Sequence, residues 1–156
     1  MSEGLALWLS IGAGGLAILF GIVSTQWVLK QPAGNERMQE IAAAIQEGAA
    51  AFLNREYLYL SVFVIIVAAI IAIFLEWQTA LCFVTGAVAS GAAGYLGMYT
   101  AVRANVRTAW GASKSLNEGL NVAFSSGSIM GMAVVSFSII GLTTLYLVFN
   151  NVMGID

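Results

Sequence analysis

The sequence predicts an all-α, polytopic membrane protein with four transmembrane helices, the second extended into the cytoplasm, forming part of a larger helical bundle. Two observations carry this reading. Of the 156 residues, 60% are hydrophobic and only 9% charged, against roughly 25% charged in a soluble domain. The apolar residues fall into four runs, residues 5–29, 58–75, 79–102 and 120–149, each near the ~20 residues a helix needs to cross the hydrocarbon core. Residues 1–156 are read as a single membrane domain.

The first run follows Glu3 rather than a basic segment and is too long for a signal peptide, so it is a retained span. The basic residues set the orientation. Lys30, Arg37 and Arg55 lie between the first and second runs, and Arg103, Arg107 and Lys114 between the third and fourth. The positive-inside rule places segments 30–57 and 103–119 in the cytoplasm. Both chain ends, Met1 and Asp156, and the Glu76-Trp77-Gln78 turn then lie outside, in a multi-pass protein of the cell (inner) membrane. Trp8, Trp27, Tyr57, Tyr59, Trp77, Tyr99 and Tyr146 fall near the ends of the runs, where amphipathic rings favour the interface.

Small residues are spaced for helix contact within the runs, at Ser10/Gly14, Gly86/Ser90/Gly94 and Gly127/Gly131. Close backbone approach is favoured over a glycine-lined pore or bend. Ser125, Ser126 and Ser128 are expected to bond their own helix or a neighbour. Cys82, the single cysteine, excludes an intrachain disulfide and reads as a small core residue. The absence of histidine excludes His-based acid/base chemistry and His metal ligation. A net charge of −2 with no basic run excludes nucleic acid as a partner. No run carries a charge near its centre, so a complete ion path from these helices alone is not expected.

Residues 35–57, NERMQEIAAAIQEGAAAFLNREY, form a polar helical segment between two spans. Pro32-Ala33-Gly34 supplies a turn, Asn35 an N-cap, and Glu36 and Glu40 sit where the helix dipole favours negative charge. With no stop signal before Leu58, one helix over about 35–75 is predicted, its first half projecting into the cytoplasm. Met38, Ile41, Ile45, Ala49 and Phe52 share one face, expected to pack on other cytoplasmic helical extensions. Glu36, Glu40 and Glu47 share the opposite face. A Mg²⁺ site is one reading of that stripe and a solvated surface the favoured one, because the three spread over more than a turn. In the second polar segment Arg103 and Arg107 are four apart, a geometry that suits a phosphate, lipid headgroups or interhelix pairing. No Walker loop, paired catalytic carboxylates or nucleophile with an evident base is present.

Three stretches taken together, ERMQEIAAAIQEGAAAFLNREY (36–57), GYLGMYTAVRANVRTAWGA (94–112) and AFSSGSIMGM (123–132), resemble in order and spacing the N-terminal part of the membrane-bound, ion-pumping inorganic pyrophosphatases. The resemblance implies a homodimer of many-helix subunits that hydrolyses Mg-pyrophosphate on the cytoplasmic side and exports protons or sodium. It implies Mg²⁺ as cofactor, with K⁺ a further candidate. The family's catalytic motif, of the type DVGADLVGKVE, belongs to a later loop and has no counterpart in 1–156. The resemblance therefore assigns no catalytic, substrate-binding or metal residue here. The segment is expected to be inactive scaffold whose partners are the remaining helices of the pump, a second subunit and the lipid bilayer, with pyrophosphate as the parent's substrate. The alternative is a non-enzymatic four-helix membrane scaffold or interaction protein. A small multidrug-type exporter is disfavoured, because residues 5–29 hold no deep carboxylate.

Overall fold

The computed structural model describes residues 3–152. It contains four long helices, α1 (Glu3–Lys30), α2 (Glu36–Phe74), α3 (Trp77–Lys114) and α4 (Leu116–Leu147), the last running into a π-helical turn, Val148–Val152. All four are long and apolar enough to cross a membrane, and no strand occurs among the described residues. The expected placement of the two chain ends, Met1 and Asp156, falls outside the described residues.

Local chemistry explains each boundary. Pro32 lacks an N–H and biases Gln31 away from helical geometry, so α1 stops at Lys30. Gly34 adopts φ +80°, a left-handed conformation open to glycine, and turns the chain toward α2. The Asn35 side chain then accepts from the Met38 N–H at 2.9 Å, the expected N-cap. From there α2 runs unbroken for 39 residues, about 59 Å at 1.5 Å per residue. The following turn is tighter than expected, since α3 already starts at Trp77.

Beyond the apolar run 79–102, α3 continues to Lys114, because nothing in residues 103–110 opposes helix formation. The break is a single residue, Ser115, whose extended backbone (φ −157°, ψ 153°) lets its side chain accept from the Glu118 N–H at 3.2 Å. Ser115 and Glu118 have the S-x-x-E spacing of a capping box, the sequence signal for this boundary.

The helices pack side by side in the order α2, α3, α4, α1. Contact is closest where α3 meets α4 around Ser115. A Cβ on Gly119 would lie 2.8 Å from the Ala112 Cβ, and one on Gly111 would lie 3.0 Å from the Glu118 carbonyl carbon. The apolar core, Val28, Ala104, Val122 and Ile129, lies toward this same end of the helices. Toward the opposite end a cleft of about 840 Å³ separates α3 from α4. Cys82 and Gly86 are on its wall, so Cys82 is exposed rather than the core residue expected. The small-residue pairs are corrected likewise. Gly14 does receive a neighbour, with Ile140 Cγ1 2.5 Å from where its Cβ would be, but Gly86, Gly127 and Gly131 face open space. The tight positions are Gly97, Gly111 and Gly119 instead.

In the 156-residue chain, Gly119→Ala is expected to destabilise by about 1–3 kcal/mol through overpacking. Gly127→Ala, at an open helical position, is expected to stabilise by about 0.4–1 kcal/mol. Thermal unfolding of the detergent-solubilised chain distinguishes the two, and equal effects would contradict the described contact.

Candidate functional site

The residues carrying charge and hydrogen-bonding capacity cluster along the first half of α2, the second half of α3 and the end of α1. α2 meets α3 through Met38, Ala42, Gln46, Ala49, Leu53 and Tyr57, which follow a four-, four-, three-, four- and four-residue step. Of the apolar face expected to pack on other cytoplasmic helical extensions, Met38 and Ala49 are partly buried within residues 3–152. Ile41, Ile45 and Phe52 are exposed by 49%, 41% and 56%. The reason is a rotation: alanines, and amphipathic Gln46, give α3 a flatter surface than the branched residues would.

Tyr57 fixes the register of this contact. Its hydroxyl donates to the Gly91 carbonyl at 2.5 Å. The ring fits because Gly91 and Gly94 have no side chains: a Cβ at either would stand 3.5 Å from Tyr57 Cε1 or 3.3 Å from its oxygen. Nothing in the sequence singled Tyr57 out from the other aromatics, although two glycines three apart signal a slot for a ring.

Of the uses expected for Arg103 and Arg107, phosphate binding, headgroup anchoring or interhelix pairing, Arg107 makes the interhelix one and Arg103 does not share it. The Arg107 guanidinium donates through Nε to the Gln31 carbonyl (3.1 Å), through Nη2 to that of Leu29 (3.0 Å) and through Nη1 to that of Arg103 (2.6 Å). It thus ties the end of α1, where unpaired carbonyls and the helix dipole concentrate negative charge, to α3. Arg103 instead lies 3.5 Å from the centroid of the Tyr99 ring and donates to that residue's carbonyl. Tyr99 in turn stacks on Tyr95 at 6.3 Å. With Arg107 committed to carbonyls, the two guanidinium groups do not form a phosphate clamp.

The acidic stripe of α2 does not converge either. Glu40 pairs with Arg37 at 2.6 Å on the exposed surface, and among the described residues no three His, Cys, Asp or Glu side chains come together as a metal site. Carboxylates strung along one helix do not fit an octahedral Mg²⁺. Ser128 bonds its own helix at the Ser125 carbonyl, 2.8 Å away. Ser126 is buried and lines a smaller groove between α3 and α4 with Asn105 and Thr108.

Replacing Arg107 by Lys keeps the charge but loses the fork that spans three carbonyls. The expected cost is about 1.5–3 kcal/mol, read by thermal unfolding of the solubilised chain, while Arg103→Lys is expected to cost less than about 1 kcal/mol.

Residues 15–155 match the family model described as inorganic H⁺ pyrophosphatase. The chain is 53% identical over 123 residues to a Clostridium tetani protein provisionally named a K(+)-stimulated pyrophosphate-energized sodium pump, covering 79% of this chain and 18% of that one. It is 49% identical over 142 residues to the K(+)-insensitive pyrophosphate-energized proton pump 2 of Moorella thermoacetica, covering 90% and 21%. It is 40% identical over 141 residues to the K(+)-stimulated pyrophosphate-energized sodium pump of Thermotoga maritima, covering 89% and 19%. The chain therefore spans about a fifth of the length of these relatives. On the match across 15–155, the chain belongs to the inorganic H⁺ pyrophosphatase family.

Proposed function

We propose that this chain is the N-terminal part of a pyrophosphate-energized ion pump and serves there as scaffold, while hydrolysis and ion transfer belong to the rest of the protein. The observation that carries this reading is the combination of a family match over residues 15–155 with coverage of only about a fifth of the relatives. The parent would hydrolyse inorganic pyrophosphate and move protons or sodium. Relatives of both kinds match, a sodium pump at 40% and proton pumps at 39% and 49% identity, so similarity over this segment does not separate the two ions. Mg²⁺, with K⁺ in a K(+)-stimulated pump, and a second subunit belong to this proposal. The carboxylates described above do not fit Mg²⁺, so its ligands would lie outside residues 1–156.

The proposed topology keeps segments 30–57 and 103–119 on the cytoplasmic side of the cell membrane and both chain ends outside. The Tyr57–Gly91 hydrogen bond supports one refinement. It sets the apolar run 58–75 of α2 beside the first half of α3, so α3 would leave the hydrocarbon near Tyr95, some 20 residues after Trp77. Tyr95, Tyr99 and Arg103 would then form a stacked interfacial column, the setting in which aromatic rings and cations are favourable.

Two measurements test the proposal. The chain of 156 residues expressed alone is expected to show no Mg²⁺-dependent pyrophosphate hydrolysis, whereas the continuous reading frame beyond Asp156 is expected to encode a loop of the GADLVGKVE type; hydrolysis above a vector control, or an in-frame stop, contradicts the scaffold reading. For topology, a membrane-impermeant maleimide on intact cells, in a Cys82→Ser background, is expected to label Glu76→Cys and spare Glu47→Cys. The reverse pattern would invert the orientation.

A further inference from the structure

The polar half of α2 has apolar residues on two sides, and α3 covers only one. Ile41, Ala44, Ile45, Gly48, Ala51 and Phe52 recur at steps of three and four residues, which puts them on a second stripe beside the one that meets α3. All six are exposed. A Cβ built on Gly48 would meet nothing within 4 Å. The third side of the helix, with Glu36, Glu40, Glu47 and Asn54, already supplies the solvated face. The second stripe is therefore surplus to what a two-sided surface helix requires.

Its relief specifies what fits it. Ile41, Ile45 and Phe52 line one side of the small Ala44, Gly48 and Ala51 and the acidic face lines the other, leaving a shallow channel along the helix that accepts the ridge of another helix at close range. An anionic lipid surface is disfavoured, since the adjoining charged face is acidic. A second copy of the chain is disfavoured by size. The stripe is about 16 Å long, too small to bury the ~1,200 Å² of a stable dimer alone.

We propose that a helix from beyond residue 156 of the same subunit lies along this stripe, so that α2 is clamped between it and α3 on the polar side of the membrane. This rests on the reading of the chain as about the first fifth of a longer pump, which leaves four fifths of the relatives' length to supply that helix. The partner helix presents an apolar ridge, with any charged side chains at its margins toward Arg37 and Arg55.

The test places the photo-crosslinker p-benzoylphenylalanine at position 52, an aromatic in place of Phe52, and separately at positions 45 and 47, in the full-length protein in its own membrane. Irradiation at 52 and 45 is expected to join the probe to a peptide from beyond residue 156 of the same subunit, several-fold more than at 47. A product of doubled subunit mass, a lipid adduct, or equal yield at all three positions overturns the proposal. Intact mass separates it from the underlying reading. A subunit ending at Asp156 removes both, whereas a subunit about five times longer that lacks the crosslink removes only the helix contact.

Discussion

The architecture depends on how closely α3 and α4 approach at Ser115. One extended residue separates two helices of 38 and 32 residues, and such a short link permits only an antiparallel hairpin. Gly111 and Gly119 allow the backbones to meet without intervening side chains. Contact at that end sets where every other helix sits. Val28, at the end of α1, is fully buried in the cluster with Ala104 of α3 and Val122 and Ile129 of α4. Arg107 lies one turn beyond Ala104 and so reaches the open carbonyls of α1. A side chain at Gly119 would displace both the core and the arginine contact.

The packing is graded along the membrane normal. Where the basic residues lie, polar contacts are specific and directional: an arginine on carbonyls, a tyrosine on a carbonyl, an asparagine cap. Toward the other end the helices separate and leave an apolar cleft. This follows from the solvent each end meets. Hydrogen bonds to backbone groups are available at helix ends, where carbonyls and N–H groups are free, whereas mid-membrane backbone groups are paired within their own helices. Arg107 and Asn35 thus attach at helix ends, while the Tyr57 hydroxyl reaches the mid-helix Gly91 carbonyl, left accessible by Gly91 and Gly94.

Much of this was legible in the sequence, and unevenly so. Four spans, the continuous α2 and the Asn35 cap follow from hydropathy, the absence of a breaker and one side-chain oxygen, all local signals. The extension of α3 to Lys114 does not show in hydropathy, which marks only the apolar run, because a helix stops where capping favours it, at Ser115. The face of α2 that meets α3 lies beside the one a helical wheel picks out, because Ile41, Ile45 and Phe52 dominate the wheel while the smaller Ala42 is buried at 6% exposure. Which glycines are tight could not be read from spacing, since Gly119 and Gly127 lie on the same helix and what stands opposite each decides. That Arg107 rather than Arg103 makes the interhelix contact is of the same kind. A shared helix face gives direction, but the free carbonyls of α1 that attract one of them lie 76 and 78 residues away.

That separation has a consequence for assembly. α1 packs chiefly on α4, the last of the four helices to be synthesised, and its end is held by a residue of α3. While the chain is being made, α1 is therefore complete before either α3 or α4 exists. Its apolar residues surround it on every side, which suits a helix that meets lipid before it meets those two. The arginine contact can form only once α3 has been made.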